Sequence, residues 1–199
     1  MSDIHILFPT PVYQSNFTEP LKPIIDFINT LEFKQDYNVY EKPNGQTTDA
    51  SLDILSSPEL LSLGDWITKE AYKFIKTLQI DCAFHTLVRI NSWVNLQKKG
   101  NYIHEHKHNN TQFSGVFYPK VPRNSGNICF VSSNDTWIDF HTEPKVTGFD
   151  DLNSRQKTFI PEQGMLFLFP AHLKHYVTTS KSNDERLSIS FDYNLNQLP

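Results

Sequence analysis

Apolar positions recur with a convincingly helical spacing in one stretch of the chain. From Pro58 to Leu78, the residues Leu60, Leu63, Ile67, Ala71, Phe74, Ile75 and Leu78 follow the i, i+3, i+4, i+7 rule that puts them on one face of an α-helix. Ser56, three residues before Glu59, reads as a capping box, and Pro58 suits a first turn. Gly64 weakens the helix slightly. A shorter helix is expected over Leu21–Leu31, with Pro23 near its start.

Beyond Leu78 the period becomes two. Over Thr86–Gln97 one face carries Thr86, Val88, Ile90, Ser92, Val94 and Leu96, and the other Leu87, Arg89, Asn91, Trp93, Asn95 and Gln97. The last strand, Arg186–Leu195, sorts Arg186, Ser188, Ser190, Asp192 and Asn194 from Leu187, Ile189, Phe191, Tyr193 and Leu195. Further strands are expected at Phe113–Tyr118, Asn127–Ser132, Lys157–Ile160, Gly164–Phe169 and His175–Thr179, separated by turn-forming clusters. The polar stretch from Pro144 to Ser154 reads as a loop. A half-polar strand is either an outer strand with a wet face or, in a small barrel or double-sheet jelly roll, the lining of a ligand cavity.

Length and composition narrow this picture. The 199 residues, 38% hydrophobic and 13% aromatic with Phe used 15 times, suit one domain with one sizeable, strand-rich core. A net charge of −4 argues against a uniformly basic nucleic-acid binder, and Lys98 and Lys99 make only a small basic spot. Cys82 and Cys129 form no CxxC pair, so neither a disulfide framework nor a thiolate zinc site is supported. The opening residues lack a signal-peptide pattern, and no apolar run approaches the roughly 20 residues of a membrane span. A cytoplasmic protein is expected, and the Phe-rich strands leave room for a homodimer edge.

The chemistry resides in the histidines. Of eight, three fall in Tyr-Ile-His104-Glu-His106-Lys-His108, and two in Phe-Pro-Ala-His172-Leu-Lys-His175. Residues i and i+2 of a strand share a face, so His106 and His108, or His104 and His106, can chelate one ion. A third ligand from a distant strand would complete a facial set with open positions, and imidazole suits iron, nickel, copper or zinc alike. A lone H-x-H pair is more often a polar strand edge. Arg186 follows His175 by eleven positions, with Ser188 two beyond it. If His175 and Arg186 sit on neighbouring antiparallel strands, both face one cavity. A guanidinium there offers a planar fork for a carboxylate, and the Ser188 hydroxyl a further hydrogen bond. The competing reading pairs Arg186 with Asp184 or Glu185 on a wet face.

These residues resemble the iron(II)/2-oxoglutarate-dependent oxygenases, and within them a prolyl-hydroxylase-like branch of about this length, common in marine bacteria and their phages. The likeness runs through Phe8-Pro9-Thr10-Pro11-Val12-Tyr13, Trp93-Val94-Asn95, His106-Lys107-His108 and Ser114-Gly115-Val116-Phe117-Tyr118. Its most specific blocks are His175-Tyr176-Val177 after Gly164–Pro170, then Arg186-Leu187-Ser188-Ile189-Ser190-Phe191. The resemblance implies a mostly β (α+β) fold, a double-stranded β-helix (jelly roll, cupin-like) with supporting N-terminal helices. One domain over 1–199 would then have helical support mainly in 20–80 and a β-helix core over about 84–196.

It further implies Fe(2+) and 2-oxoglutarate as cofactors, His106 and His175 as iron ligands, and Arg186 with Ser188 on the C5 carboxylate. The spacing from Gly100 to His106 favours His106 over His104 as the first ligand. Asn95, with Trp93, and Tyr118, after a Ser-Gly turn, are placed near the cosubstrate pocket. The wider superfamily has Asp or Glu where His108 stands. His108 would then ligate in its place, or leave a site for water or an anion as in halogenase-like variants, or yield to an acid such as Glu105. The implied activity is hydroxylation of a small-molecule or peptide substrate with release of succinate and carbon dioxide. The segment from Phe140 to Arg155 is the expected lid. Two other readings stand beside it: a cupin-like metal-binding protein without turnover, and a three-histidine dioxygenase needing no 2-oxoglutarate.

Overall fold

Two antiparallel sheets face one another, and two helices brace the back of the larger one. The structure, a computed structural model, describes residues 3, 5, 8–37, 43–133, 150 and 153–197. Its strands are β1 (Tyr13–Asn16), β2 (Lys34–Tyr37), β3 (Pro43–Thr47), β4 (His85–Gln97), β5 (Ile103–His106) and β6 (Phe113–Lys120). They continue as β7 (Ile128–Val131), β8 (Gln156–Phe159), β9 (Met165–Pro170), β10 (His175–Val177) and β11 (Arg186–Gln197). The helices are α1 (Lys22–Ile28) and α2 (Leu61–Thr77). The major sheet runs β1-β9-β6-β11-β4-β3-β2 and the minor sheet β5-β10-β7-β8. This is the jelly-roll architecture expected of the sequence. Within the stretch expected to be mainly helical support, residues 34–37 and 43–47 add β2 and β3 to the edge of the major sheet.

Strict alternation explains why the sheets stack. On β9, Leu166 and Leu168 point to the helices, while Met165, Phe167 and Phe169 point between the sheets, where Phe130 of β7 meets Phe167 and Phe169. On β11, Leu187, Ile189, Phe191 and Tyr193 join the helical side, which leaves Arg186, Ser188, Ser190 and Asp192 on the inner face. Gly115 of β6 makes room for one of these: a Cβ there would stand 2.5 Å from the Phe191 ring. The helix α2 supplies Leu63, Ile67, Ala71, Phe74 and Ile75 to the outer core, in the periodicity the sequence displays. Each fully buried aliphatic such as Ile67 stabilises the layer by about 1.5–3 kcal/mol.

Three local expectations are corrected. The Ser56–Glu59 capping box is absent, since Ser57 caps a 3-10 turn at Pro58–Leu60 and the Ser56 hydroxyl donates to Asp53. Ser114-Gly115 lies inside β6 and is not a turn. Most consequentially, β4 does not keep one register. Asn91 pairs with Asp192 but Arg89 pairs with Tyr193, so Ile90 is an extra residue, a bulge. Leu87 and Arg89 therefore turn to the helical side, whereas Asn91, Trp93, Asn95 and Gln97 keep the inner face expected of them. The bulge delivers Arg89 to Asp53, Nε to Oδ1 at 2.7 Å, beside Thr68 and the Tyr193 hydroxyl.

Among the described residues no helix is long and apolar enough to cross a membrane. The expected lid over 140–155 lies outside the described residues except at 150 and 153–155, as does His141.

Candidate metal centre

His175 begins β10 and is the register partner of His106, the last residue of β5. The two imidazoles therefore meet across one rung, ring centroids 4.3 Å apart. His108 lies beyond the end of β5 rather than on it. Its backbone N–H donates to the Ala171 carbonyl at 3.0 Å, which ties this loop to the turn between β9 and β10. That tie brings its ring 5.4 Å from His106 and 5.3 Å from His175. One nitrogen from each of the three lies within 4.8 Å of the others. Of the three, His175 is the most buried.

Their second nitrogens are all engaged. His106 Nδ1 donates to the His104 carbonyl at 2.8 Å and His175 Nδ1 to the Leu173 carbonyl at 2.9 Å. His108 Nδ1 stands 2.9 Å from Asp192 Oδ1. With Nδ1 protonated, each Nε2 presents a lone pair, the form a divalent metal needs. Burial, with the neighbouring His106, pushes the His175 pKa down to about 3 against the Leu173 hydrogen bond. This imidazole is thus neutral and ready to bind across the physiological range.

Trp93, on the inner face of β4, stacks on His108 at 6.0 Å and remains partly open, so it walls the centre rather than filling the core. Glu105 is excluded as a ligand because it faces solvent and pairs with Lys174 at 3.3 Å. His104 instead borders a groove of about 440 Å³ beside Tyr176. His5, His85 and His172 are exposed.

Arg186 is not on a strand next to β10, as the sequence suggested. It belongs to β11 of the major sheet and reaches across to the minor one. Its Nη1 donates to the Gly126 carbonyl at 3.1 Å, and its guanidinium lies 5.7 Å from the Tyr118 ring. The side chain is 1% exposed, and its Nε has no hydrogen-bond partner among the described residues. Glu185, one of the two acids of the competing wet-face reading, pairs instead with Lys98. Burial lowers the Arg186 pKa, and the same burial raises that of Tyr118 to about 12 against the pull of the guanidinium.

An arginine so placed is a cation awaiting an anion, since an unpaired buried charge costs several kcal/mol. Ser188 is buried on the next inward position of β11. Asn95 faces its Ser188 register partner, and its Nδ2 donates to Ser190 Oγ at 3.0 Å. Gly126 was missed by sequence reasoning. Its φ of +95° and a would-be Cβ at 2.5 Å from the Thr178 carbonyl restrict the position to glycine.

The donor set fits the expected cofactors. Three imidazoles suit a divalent first-row metal and leave coordination positions open. Gly126, which holds Arg186, stands four residues before Phe130, the register partner of His175.

A jelly roll whose inner face gathers three histidines at one end and a buried arginine at the other has the donors that a non-haem metal oxygenase needs. The family described as "Putative 2OG-Fe(II) oxygenase" matches residues 91–192, a span holding all three histidines, Arg186 and Asp192. The chain belongs to this 2-oxoglutarate/iron(II) oxygenase family. No curated protein matches it by sequence.

Solved structures share its fold at low identity. The α-ketoglutarate-dependent epimerase SnoN of nogalamycin biosynthesis is 14% identical with a TM-score of 0.66, over 96% of this chain and 82% of that one. A Pseudomonas putida prolyl-4-hydroxylase is 12% identical with a TM-score of 0.61, over 96% and 94%. HygX from Streptomyces hygroscopicus, solved with nickel and 2-oxoglutarate, is 12% identical with a TM-score of 0.61, over 93% and 83%.

Proposed function

We propose that His106, His108 and His175 hold iron(II), and that Arg186, assisted by Ser188, receives the far carboxylate of 2-oxoglutarate. The carrying observation is the convergence of three imidazoles, one ring nitrogen of each within 4.8 Å of the others, whose Nδ1 atoms are all occupied and whose Nε2 atoms are left for a metal. Bound iron(II) with 2-oxoglutarate and oxygen supplies the oxidative chemistry, giving succinate, carbon dioxide and a hydroxylated C–H bond. The protein's part is positioning. The His104 and Leu173 carbonyls keep protons on Nδ1 of His106 and His175. Arg186, fixed by Gly126 and lying against Tyr118, orients the dicarboxylate. The apolar wall of Val116, Phe130 and Phe169 excludes water on the far side.

The substrate is a small molecule or peptide that approaches past Trp93. The two cysteines are free, which suits a reducing cytoplasm. The unpartnered Nε of Arg186 favours this reading over a three-histidine dioxygenase that uses no 2-oxoglutarate. The test is an anaerobic titration of metal-free protein with iron(II) and then 2-oxoglutarate. A visible metal-to-ligand charge-transfer band is expected. Iron binding without the band would eliminate the 2-oxoglutarate reading.

A further inference from the structure

His108 occupies a position where the superfamily has a carboxylate, yet a carboxylate is still present one residue further back. Asp192, on the inner face of β11, lies 2.9 Å from His108 Nδ1. The Ser114 hydroxyl donates to the same Oδ1 at 2.6 Å, and the Asp192 side chain is 10% exposed. Its partners among the described residues are that hydroxyl and that imidazole, and it makes no ion pair with a lysine or arginine among them. Trp93 stacks against the His108 ring, centroids 6.0 Å apart.

We propose that Asp192 is a positioning residue of the metal centre. It accepts a hydrogen bond from the Nδ1–H of His108, fixes Nε2 as the metal-binding nitrogen, and places behind the imidazole the negative charge that a carboxylate ligand would put on the metal. The inference rests on His108 being a ligand.

The physical case has three parts. Free imidazole exchanges between tautomers, and only one of them directs a lone pair at the metal. His106 and His175 are fixed by backbone carbonyls, which every sequence possesses. The ring of His108, in a loop beyond β5, meets no such carbonyl among the described residues, and its Nδ1 faces a side chain instead. That side chain is held from behind, because Ser114 and Asp192 are register partners on β6 and β11. A carboxylate behind a metal-bound imidazole also raises its basicity, and loss of such a partner weakens metal binding by roughly 10–100-fold.

Asp192 has an alternative role as a simple cross-strand rung to Ser114, so the experiment must separate the two. Cobalt(II) or iron(II) affinity is measured for wild type, D192A, D192N, H108A and H108A/D192A. The ring-nitrogen NMR spectrum of each metal-free protein reports the His108 tautomer where that residue is present. Asp192→Ala is expected to weaken metal binding roughly 10–100-fold and to release the Nδ1–H tautomer. Asp192→Asn, whose amide oxygen still accepts the proton, should recover most of the affinity and keep the tautomer. It should also move the 2-oxoglutarate charge-transfer band to higher energy, because the negative charge is gone. In the H108A background, removal of Asp192 should change affinity no further.

Wild-type affinity and tautomer in a folded D192A protein would overturn the proposal, as would effects of H108A and D192A that simply add. If D192A does not fold, D192N decides alone: a band and affinity both identical to wild type would overturn it. Wild-type affinity in H108A is a different failure, since it removes His108 from the ligand set and with it the reading on which the proposal stands.

Discussion

At the scale of single residues, the centre combines neutral donors with one isolated cation. His175 has its folded-state pKa pushed down to about 3, whereas an unfolded histidine titrates near 6.5. Between those values the unfolded chain binds a proton that the folded chain does not. Stability of the metal-free protein should therefore be full above about pH 6.5 and fall as pH drops toward 3. Urea midpoints from pH 7 to pH 4 test this, and the fall should be shallower in H175Q. Arg186→Ala should retain iron and lose about 1.5–3 kcal/mol of 2-oxoglutarate affinity, the usual worth of hydrogen bonds to a charged group. Calorimetry with the iron-loaded protein would show it, and unchanged affinity would remove Arg186 from the cosubstrate site.

The sequence shows the inward face of β11 because it is a local periodicity, and it shows the His106–His108 pair by spacing alone, since His108 lies beyond the strand that was to align them. It does not show that Asp192 meets His108, since that contact depends on where the loop beyond β5 is tied to Ala171. Nor does it show Gly126, whose task is set by Thr178 and Arg186 on other segments.

At the scale of elements, the decisive feature is the bulge at Ile90. The period-two pattern of residues 86–97 reads as one unbroken strand because a bulge leaves no mark in composition, only a change in which residues share a side. Ile90 itself is 47% exposed, so Ile90→Ala should change stability by about 0.5 kcal/mol or less. Deleting Ile90 would leave Arg89 opposite Tyr193 and Asn91 opposite Asp192, each on its present face, in an unbroken ladder. Truncating Arg89 is the severe change. Loss of a partner from a buried pair costs about 3–5 kcal/mol; the exposure here, 12% and 26%, puts Arg89→Ala toward the lower end. Thermal melts of I90A and R89A should diverge widely. Similar behaviour would mean that the ion pair is incidental. The strands β1, β2, β3 and β5 are short and carry little apolar alternation, so their pairing partners and not their own residues define them.

At the scale of the whole molecule, stability and chemistry occupy different layers. The helices and the back of the major sheet make one apolar core, and the aromatic contact of β7 with β9 makes another. Between them the inner face is free to carry an arginine, serines and an aspartate. Removing a core side chain should therefore leave the site's properties intact. Ile67→Ala is expected to cost about 2–5 kcal/mol with metal stoichiometry unchanged. His106→Ala should do the reverse, abolishing metal binding while the metal-free melt stays near that of wild type. A core variant that lost the metal while still folded would contradict this separation.

The pairing of His175 with His106 has a mechanical side. β5 is a four-residue strand at the margin of the minor sheet, hydrogen-bonded to β10 alone, and such margins fray first. An ion gripping one imidazole from each strand is a clasp on that margin, set at the very last rung. Fraying at β5 would part the two donors before it disturbed either core. The protein should therefore release its metal by unzipping a short hem, and amide exchange at Ile103–His106 should slow on metal loading well before any change reaches β11.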